Sequence, residues 1–199
     1  VFWSAAEMDS IIQEAQEILA EELALIKRSA WVPMREGATY YYTQSIASDI
    51  MAPYRIYVSH EDRRLNVVTM AELDERHETW ITVTGDPWHW FPVSWDIFGI
   101  FPHPSNAGGI MQIDYLAWPK AVSQDSEELE FPEPEQDAIV IYGIYDGLLK
   151  QWDFERALRT FALFLEKVPQ GKPRANVELQ AAREYRRLNG PQFRTGVNI

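Results

Sequence analysis

From Trp80 to Pro119 the chain reads W-I-T-V-T-G-D-P-W-H-W-F-P-V-S-W-D-I-F-G-I-F-P-H-P-S-N-A-G-G-I-M-Q-I-D-Y-L-A-W-P. Five of the eight Trp fall here, and Gly and Pro interrupt the run every few residues. That rhythm predicts short β-strands joined by tight turns, because Gly and Pro supply backbone geometries that a strand cannot continue. Purely helical patterns flank the β region, so the chain runs helix, compact β insert, helices. An aromatic β insert on a helical frame more often presents a surface to a partner than encloses a reaction centre.

Working outward, the β pattern covers Ala38 to Trp118. Strand candidates are Tyr40 to Gln44, Tyr54 to Val58, Leu65 to Thr69, Thr79 to Thr84, Trp88 to Val93, Ile97 to Phe101 and Ile110 to Leu116. Gly85-Asp86-Pro87 and Asn106-Ala107-Gly108-Gly109 are the clearest turns, and a hairpin explains the Gly pair. Met70 to His77 reads as a loop or a single helical turn. Pro92, Pro102 and Pro104 belong at edges or strand ends, since each lacks a ladder donor.

Before the β region, Ser4-Ala5-Ala6-Glu7 is a capping box, a hydroxyl followed three residues later by a carboxylate. A helix is predicted from there to about Ser29, with one apolar stripe from Met8 through Ile11, Ile12, Ala15 and Leu19 to Ile26. After it, the acidic, proline-marked segment Glu127 to Glu135 leads into a second helical block. Ile139 to Leu149 carries a broad apolar face. Asp153 is a plausible cap for a helix to Val168 that buries Phe154, Ala157, Leu158, Phe161, Phe164 and Leu165. Pro169 to Pro173 breaks it, and a polar helix is expected over Arg174 to Leu188, stopped by Asn189-Gly190-Pro191. Gln192 to Ile199 lacks periodicity and reads as an extended arm.

The expected fold is therefore α+β: a helical bundle, made of an N-terminal helix plus three C-terminal helices, with a β-rich insertion domain between them. The boundaries are 1–36 for the N-terminal helix, 37–126 for the insertion domain, 127–190 for the C-terminal helices and 191–199 for the arm. At 199 residues with 46% apolar composition a sizeable core can form. No apolar run approaches the roughly 20 residues of a membrane span. No charged-then-apolar leader opens the chain, and Val1 implies a processed or trimmed terminus.

The net charge of −12 is unevenly spread. From Lys172 onward six basic residues (Lys172, Arg174, Arg183, Arg186, Arg187, Arg194) face two acidic ones, Glu178 and Glu184, a net of +4. The other 171 residues carry −12 − 4 = −16. Such an asymmetry orients association. Strong nucleic-acid binding by the body is disfavoured, because phosphate contacts need a basic face.

Little points to chemistry. There is no Cys, and His60, His77, His89 and His103 fall in separate segments without ligand spacing, so neither metal nor cofactor is expected. No nucleophile elbow or phosphate loop is present, and no catalytic residue is assigned. The enzyme alternative is a cell-wall glycan (peptidoglycan) hydrolase, with Asp86, Asp96 and Asp114 among Trp platforms; a carbohydrate-binding module is a further alternative.

The order of several weak motifs resembles the head-to-tail adaptor (connector) proteins of tailed bacteriophages. They run from the amphipathic helix through Gly37 with Tyr40-Tyr41-Tyr42, Trp80-x-x-x-x-Gly85-x-Pro87, Ile100-Phe101-Pro102-x-Pro104 and Tyr115-x-x-x-Pro119. Phe131-Pro132, a helix with Tyr142 and Tyr145, and an Asp153-x-x-x-Ala157 helix follow. The similarity covers about Ala6 to Leu165, and Tyr42-Thr43-Gln44 departs from the Leu-Pro pair expected after the tyrosine.

The resemblance implies a structural virion protein that is not an enzyme, made in the host cytoplasm and placed at the head-tail junction. Its partners would be the portal protein ring above, a tail or nozzle protein below, and copies of itself in a ring of twelve. DNA would pass through the channel without specific binding; twelve copies carry on the order of −144 charges along its wall. Contacts between subunits would use Tyr142, Tyr145, Leu149, Phe154 and Phe161. Portal binding would fall to Arg183, Arg186 and Arg187 with the arm residues Gln192, Phe193, Arg194, Thr195, Gly196, Val197, Asn198 and Ile199.

Overall fold

The computed structural model describes residues 3–59, 63–77, 79–122 and 128–168. These divide into two compact units: a helical one drawn from the segments up to Ile26 and from Ala117 onward, and a β one over Lys27–Leu116. The fold is α+β, with four α-helices among the described residues and several small sheets. The helix expected over Arg174 to Leu188, and the arm, lie outside the described residues.

The first helix, α1 (Ala5–Leu23), starts on the capping box read from the sequence: Glu7 N–H donates to Ser4 Oγ at 3.2 Å and Ser4 N–H donates to the Glu7 carboxylate at 2.8 Å. The helix expected to reach Ser29 stops at Leu23, where Ala24 turns left-handed with φ 49° and donates to Ala20 O. The following residues form strand β1 (Lys27–Pro33), in which exposed and part-buried side chains alternate. A period of two favours a strand once a pairing edge exists. Here it is β10 (Ile110–Ala117), antiparallel with Lys27 opposite Leu116 and Pro33 opposite Ile110.

The remaining strands are β2 (Tyr40–Tyr42), β3 (Ile50–Val58), β4 (Arg63–Arg64), β5 (Asn66–Val67), β6 (Thr84–Gly85), β7 (His89–Ser94), β8 (Ile97–Phe101) and β9 (His103–Pro104). One sheet has the order β1-β10-β3-β4, a second β2-β8-β7-β5, and β6 pairs with β9. The expected Gly108-Gly109 hairpin is corrected: that turn joins β9 to β10, which belong to different sheets. Thr79 to Thr84, expected as a strand, is largely a turn of 3-10 helix over Trp80–Thr82. Pro92 sits where β5, paired only at His89 and Trp90, no longer covers β7, so its missing donor costs no ladder bond there. Met70 to His77 becomes the short helix α2 (Met70–Arg76), capped by Thr69 and Glu72.

The β unit's aromatic core explains the Trp-rich stretch. Trp80, Phe91 and Phe101 pack with Val68 and Leu73, the Trp80 ring edge-on to Phe91 (5.2 Å) and to Phe101 (6.2 Å). Burying that indole leaves its N–H needing a partner, and Asp74 Oδ1 accepts it at 2.7 Å. Trp90 is also buried, whereas Trp88 and Trp95 remain exposed.

In the helical unit, α3 (Glu133–Lys150) packs against both α1 and α4 (Phe154–Lys167). Ile11, Ala15 and Leu19 of α1, Ala138, Ile139 and Tyr142 of α3, and Ala157 and Phe164 of α4 are buried. The sequence reading also placed Phe154, Leu158 and Leu165 inside; they are exposed.

Candidate functional site

Glu133 and Glu135 sit in the first turn of α3 and Lys150 in its last, each complementing the helix dipole. Lys150 also donates to Glu7 Oε1 at 2.8 Å and lies 4.3 Å from the Trp3 ring centre, which ties the start of α1 to the end of α3. The link to α4 is Gln151-Trp152-Asp153. Trp152 N–H donates to Leu149 O and Asp153 N–H to Leu148 O, both at 3.0 Å, the paired bonds that satisfy the last carbonyls of a helix. This arrangement needs a left-handed residue, and Trp152 supplies it with φ 63°. Glycine fits there without strain, whereas an L side chain costs about 1 kcal/mol. Asp153 then caps α4 by accepting from Arg156 N–H at 3.3 Å.

Inside this hairpin the Tyr142 ring lies tilted against Tyr145 (5.5 Å) and Phe164 (5.2 Å), and Tyr145 tilted against Phe161 (4.8 Å). Tyr142 is buried and its hydroxyl donates to Glu14 Oε1 on α1 at 2.7 Å. Burial first, then the bond to the Glu14 carboxylate, raises the phenol well above its usual range. Of the residues expected at subunit contacts, Phe154 is exposed, Tyr145, Leu149 and Phe161 are half-buried, and Tyr142 lies in the interior. The expected portal-binding residues, Arg183, Arg186, Arg187 and Gln192 to Ile199, lie outside the described residues.

The outer surface of the helical unit carries two apolar features. Between α1 and α3 lies a groove of about 580 Å³, lined by Trp3, Met8, Ile12, Val140, Ile144 and Leu148 among others. Its side-chain amides are Gln136, which already donates to Phe131 O at 2.8 Å, and Gln151. On α4, Phe154, Leu158 and Leu165 form an exposed stripe at helical spacing. Trp152 stands beside it, edge-on to Phe154 at 6.0 Å, and is 79% exposed. The charges differ as well. Six acidic and no basic residues give α1 −6, while three basic and two acidic residues give α4 +1.

The β unit has a smaller cleft of about 220 Å³, bordered by Trp31, Pro33, Arg35, Tyr40 and Tyr42. The three carboxylates weighed for glycan hydrolysis do not converge. Asp86 precedes β7 and Asp96 follows it, so the strand's length of roughly 20 Å separates them, far beyond the reach of a catalytic pair. Asp114 is 2% exposed in the other sheet. Burial alone would raise its carboxyl, but hydrogen bonds from Ser29, Gln112 and Arg55 outweigh that and hold it below its usual range.

Sequence reasoning missed the groove, the exposed stripe and Trp152. One signal was readable: a Trp between a helix end and the next helix's cap, where Gly is favoured.

An aromatic β unit, a helical unit with uncovered apolar surfaces, and three candidate acids, Asp86, Asp96 and Asp114, that do not converge together point to assembly. The SU10 adaptor protein model matches residues 2–192. The chain belongs to the SU10 adaptor protein family. No curated protein matches it. An SU10 adaptor is a structural protein of a phage particle that associates with portal and tail proteins. No described helix of this adaptor is long and apolar enough to cross a membrane.

Proposed function

We propose that copies of this adaptor join side to side in a ring of twelve beneath the capsid portal, continuing the DNA channel and offering a platform to a tail protein. The observation that carries this reading is the adaptor family match over residues 2–192, nearly the whole chain. Two uncovered apolar surfaces on different helices support it, since a ring is built from heterologous contacts between unlike faces. An acidic body suits a channel wall along which DNA slides. The net +4 of residues 172–199 suits attraction to a partner of opposite charge, here the portal, through Arg183, Arg186, Arg187 and the arm from Gln192 to Ile199.

The test is to mix the purified protein with portal rings and count copies by electron microscopy and native mass. Twelve adaptors per portal are expected; a strict monomer in the presence of portal overturns the reading. Deleting residues 191–199 should abolish portal binding while the monomer stays folded, and unchanged binding would remove the arm's role.

A further inference from the structure

We propose that the seam between neighbouring copies forms when Trp152, Phe154 and Leu158 of one copy insert into the α1/α3 groove of the next. This deepens the ring reading above and rests on it.

Trp152 provides the first reason. The fold holds a bulky aromatic in a left-handed conformation that glycine would adopt freely, and leaves it 79% exposed. Strain retained at the surface marks a residue kept for what it presents, and Trp is prominent among residues that anchor interfaces. Phe154 meets it edge-on, and Leu158, 69% exposed, continues the stripe by one turn of α4. Together they make a convex apolar knob.

The groove is its counterpart. In volume, about 580 Å³, it could house a small ligand, but small-molecule sites orient their occupants with several convergent polar groups. Here the side-chain amides are Gln136, already engaged by Phe131 O, and Gln151. Val140 and Ile144 remain more than half exposed along its wall. Such a surface recognises apolar side chains. Charge discriminates between the possible contacts: groove-to-groove docking opposes two α1 helices at −6 each, whereas Arg156 and Arg159 beside the knob balance Asp153 and Glu155, so a neutral knob meets no such repulsion in the groove. Knob and groove are unlike surfaces, so the contact between them is heterologous, the type that can propagate round a ring.

The chain has no native Cys, so single cysteines report the contact cleanly. Val140→Cys and Leu158→Cys, carried by separate copies and gathered on portal rings under mild oxidation, should form a disulfide with each other and not within either variant alone. Trp152→Gly should weaken association between copies at least tenfold while its thermal midpoint stays level or rises. Rings that form without the mixed disulfide overturn the inference and leave the ring reading standing; that is also the result if residues 169–199 or a tail protein fill the groove. Cross-linking within each variant alone, or wild-type assembly by Trp152→Gly, overturns it equally. Wild-type chains that never gather on the portal would remove the ring reading and this seam with it.

Discussion

Gly99 is the residue on which the β unit's packing turns most sharply. It lies on β8 opposite Phe91 on one side and Tyr40 on the other, and a Cβ there would stand 2.1 Å from the Phe91 ring. Phe91 is fully buried against Trp80, so it cannot swing away without emptying the core beneath it. Gly normally weakens a strand, but here its missing side chain is the space that the ring occupies. Gly99→Ala should therefore destabilise the protein by about 2–3 kcal/mol through overpacking. A urea unfolding curve checks this, and a midpoint equal to that of the wild type would contradict it. The strand Ile97 to Phe101 was legible in the sequence with its bounds intact. The contact that demands Gly99 was not, because nothing local says which ring will lie across a glycine from a neighbouring strand.

At the scale of elements, the start of α1 shows how a local signal and a distant contact combine. Ser4 and Glu7 were readable as a capping box; the partner that makes Glu7 matter, Lys150, lies 143 positions away. The hydrogen bond from Lys150, followed by those from Ser4, holds the Glu7 carboxyl down at about 2, against 4.5 in its ordinary state. A depressed carboxyl favours the folded state when charged, so this contribution is present above about pH 4.5 and fades as the pH falls towards about 2. Glu7→Gln should lower the thermal midpoint at pH 7, and its difference from wild type should shrink across that acid window. Circular dichroism melts at stepped pH would show it; a difference that is constant with pH would mean that the carboxylate's charge is not what matters. The other end of α1 was misread for a related reason. Leu23 and Ile26 prolong an apolar helical stripe, and only pairing with β10, about eighty residues on, makes Lys27–Pro33 a strand. Likewise Leu158 and Phe164 are equally apolar in sequence, yet Phe164 is buried and Leu158 exposed, because hydropathy fixes that a side chain avoids water and not whether its cover comes from the same chain.

For the whole molecule, the order helix, β region, helices was legible because caps, Gly and Pro punctuate it locally, and the same ordered punctuation carried the adaptor resemblance that the family match over residues 2–192 bears out. Which strands share a sheet depends on contacts between distant segments and was not. The formal charge of −12 is a property of the entire copy, and it sets how copies meet. Neighbours that join through apolar side chains must bring two like-charged bodies together, so their attraction is short-ranged and their repulsion is long-ranged. Salt shortens the reach of the repulsion, to a Debye length of about 10 Å at 0.1 M and about 3 Å at 1 M, and leaves apolar contact intact. Self-association of the isolated chain, followed by sedimentation at rising protein concentration, should therefore strengthen as sodium chloride is raised from about 0.05 M to about 0.5 M. An interface held mainly by ion pairs gives the reverse trend, because screening weakens the attraction itself. Weaker association at high salt would thus show that charged pairs, and not the exposed Trp, Phe and Leu side chains of the helical unit, hold neighbouring copies together.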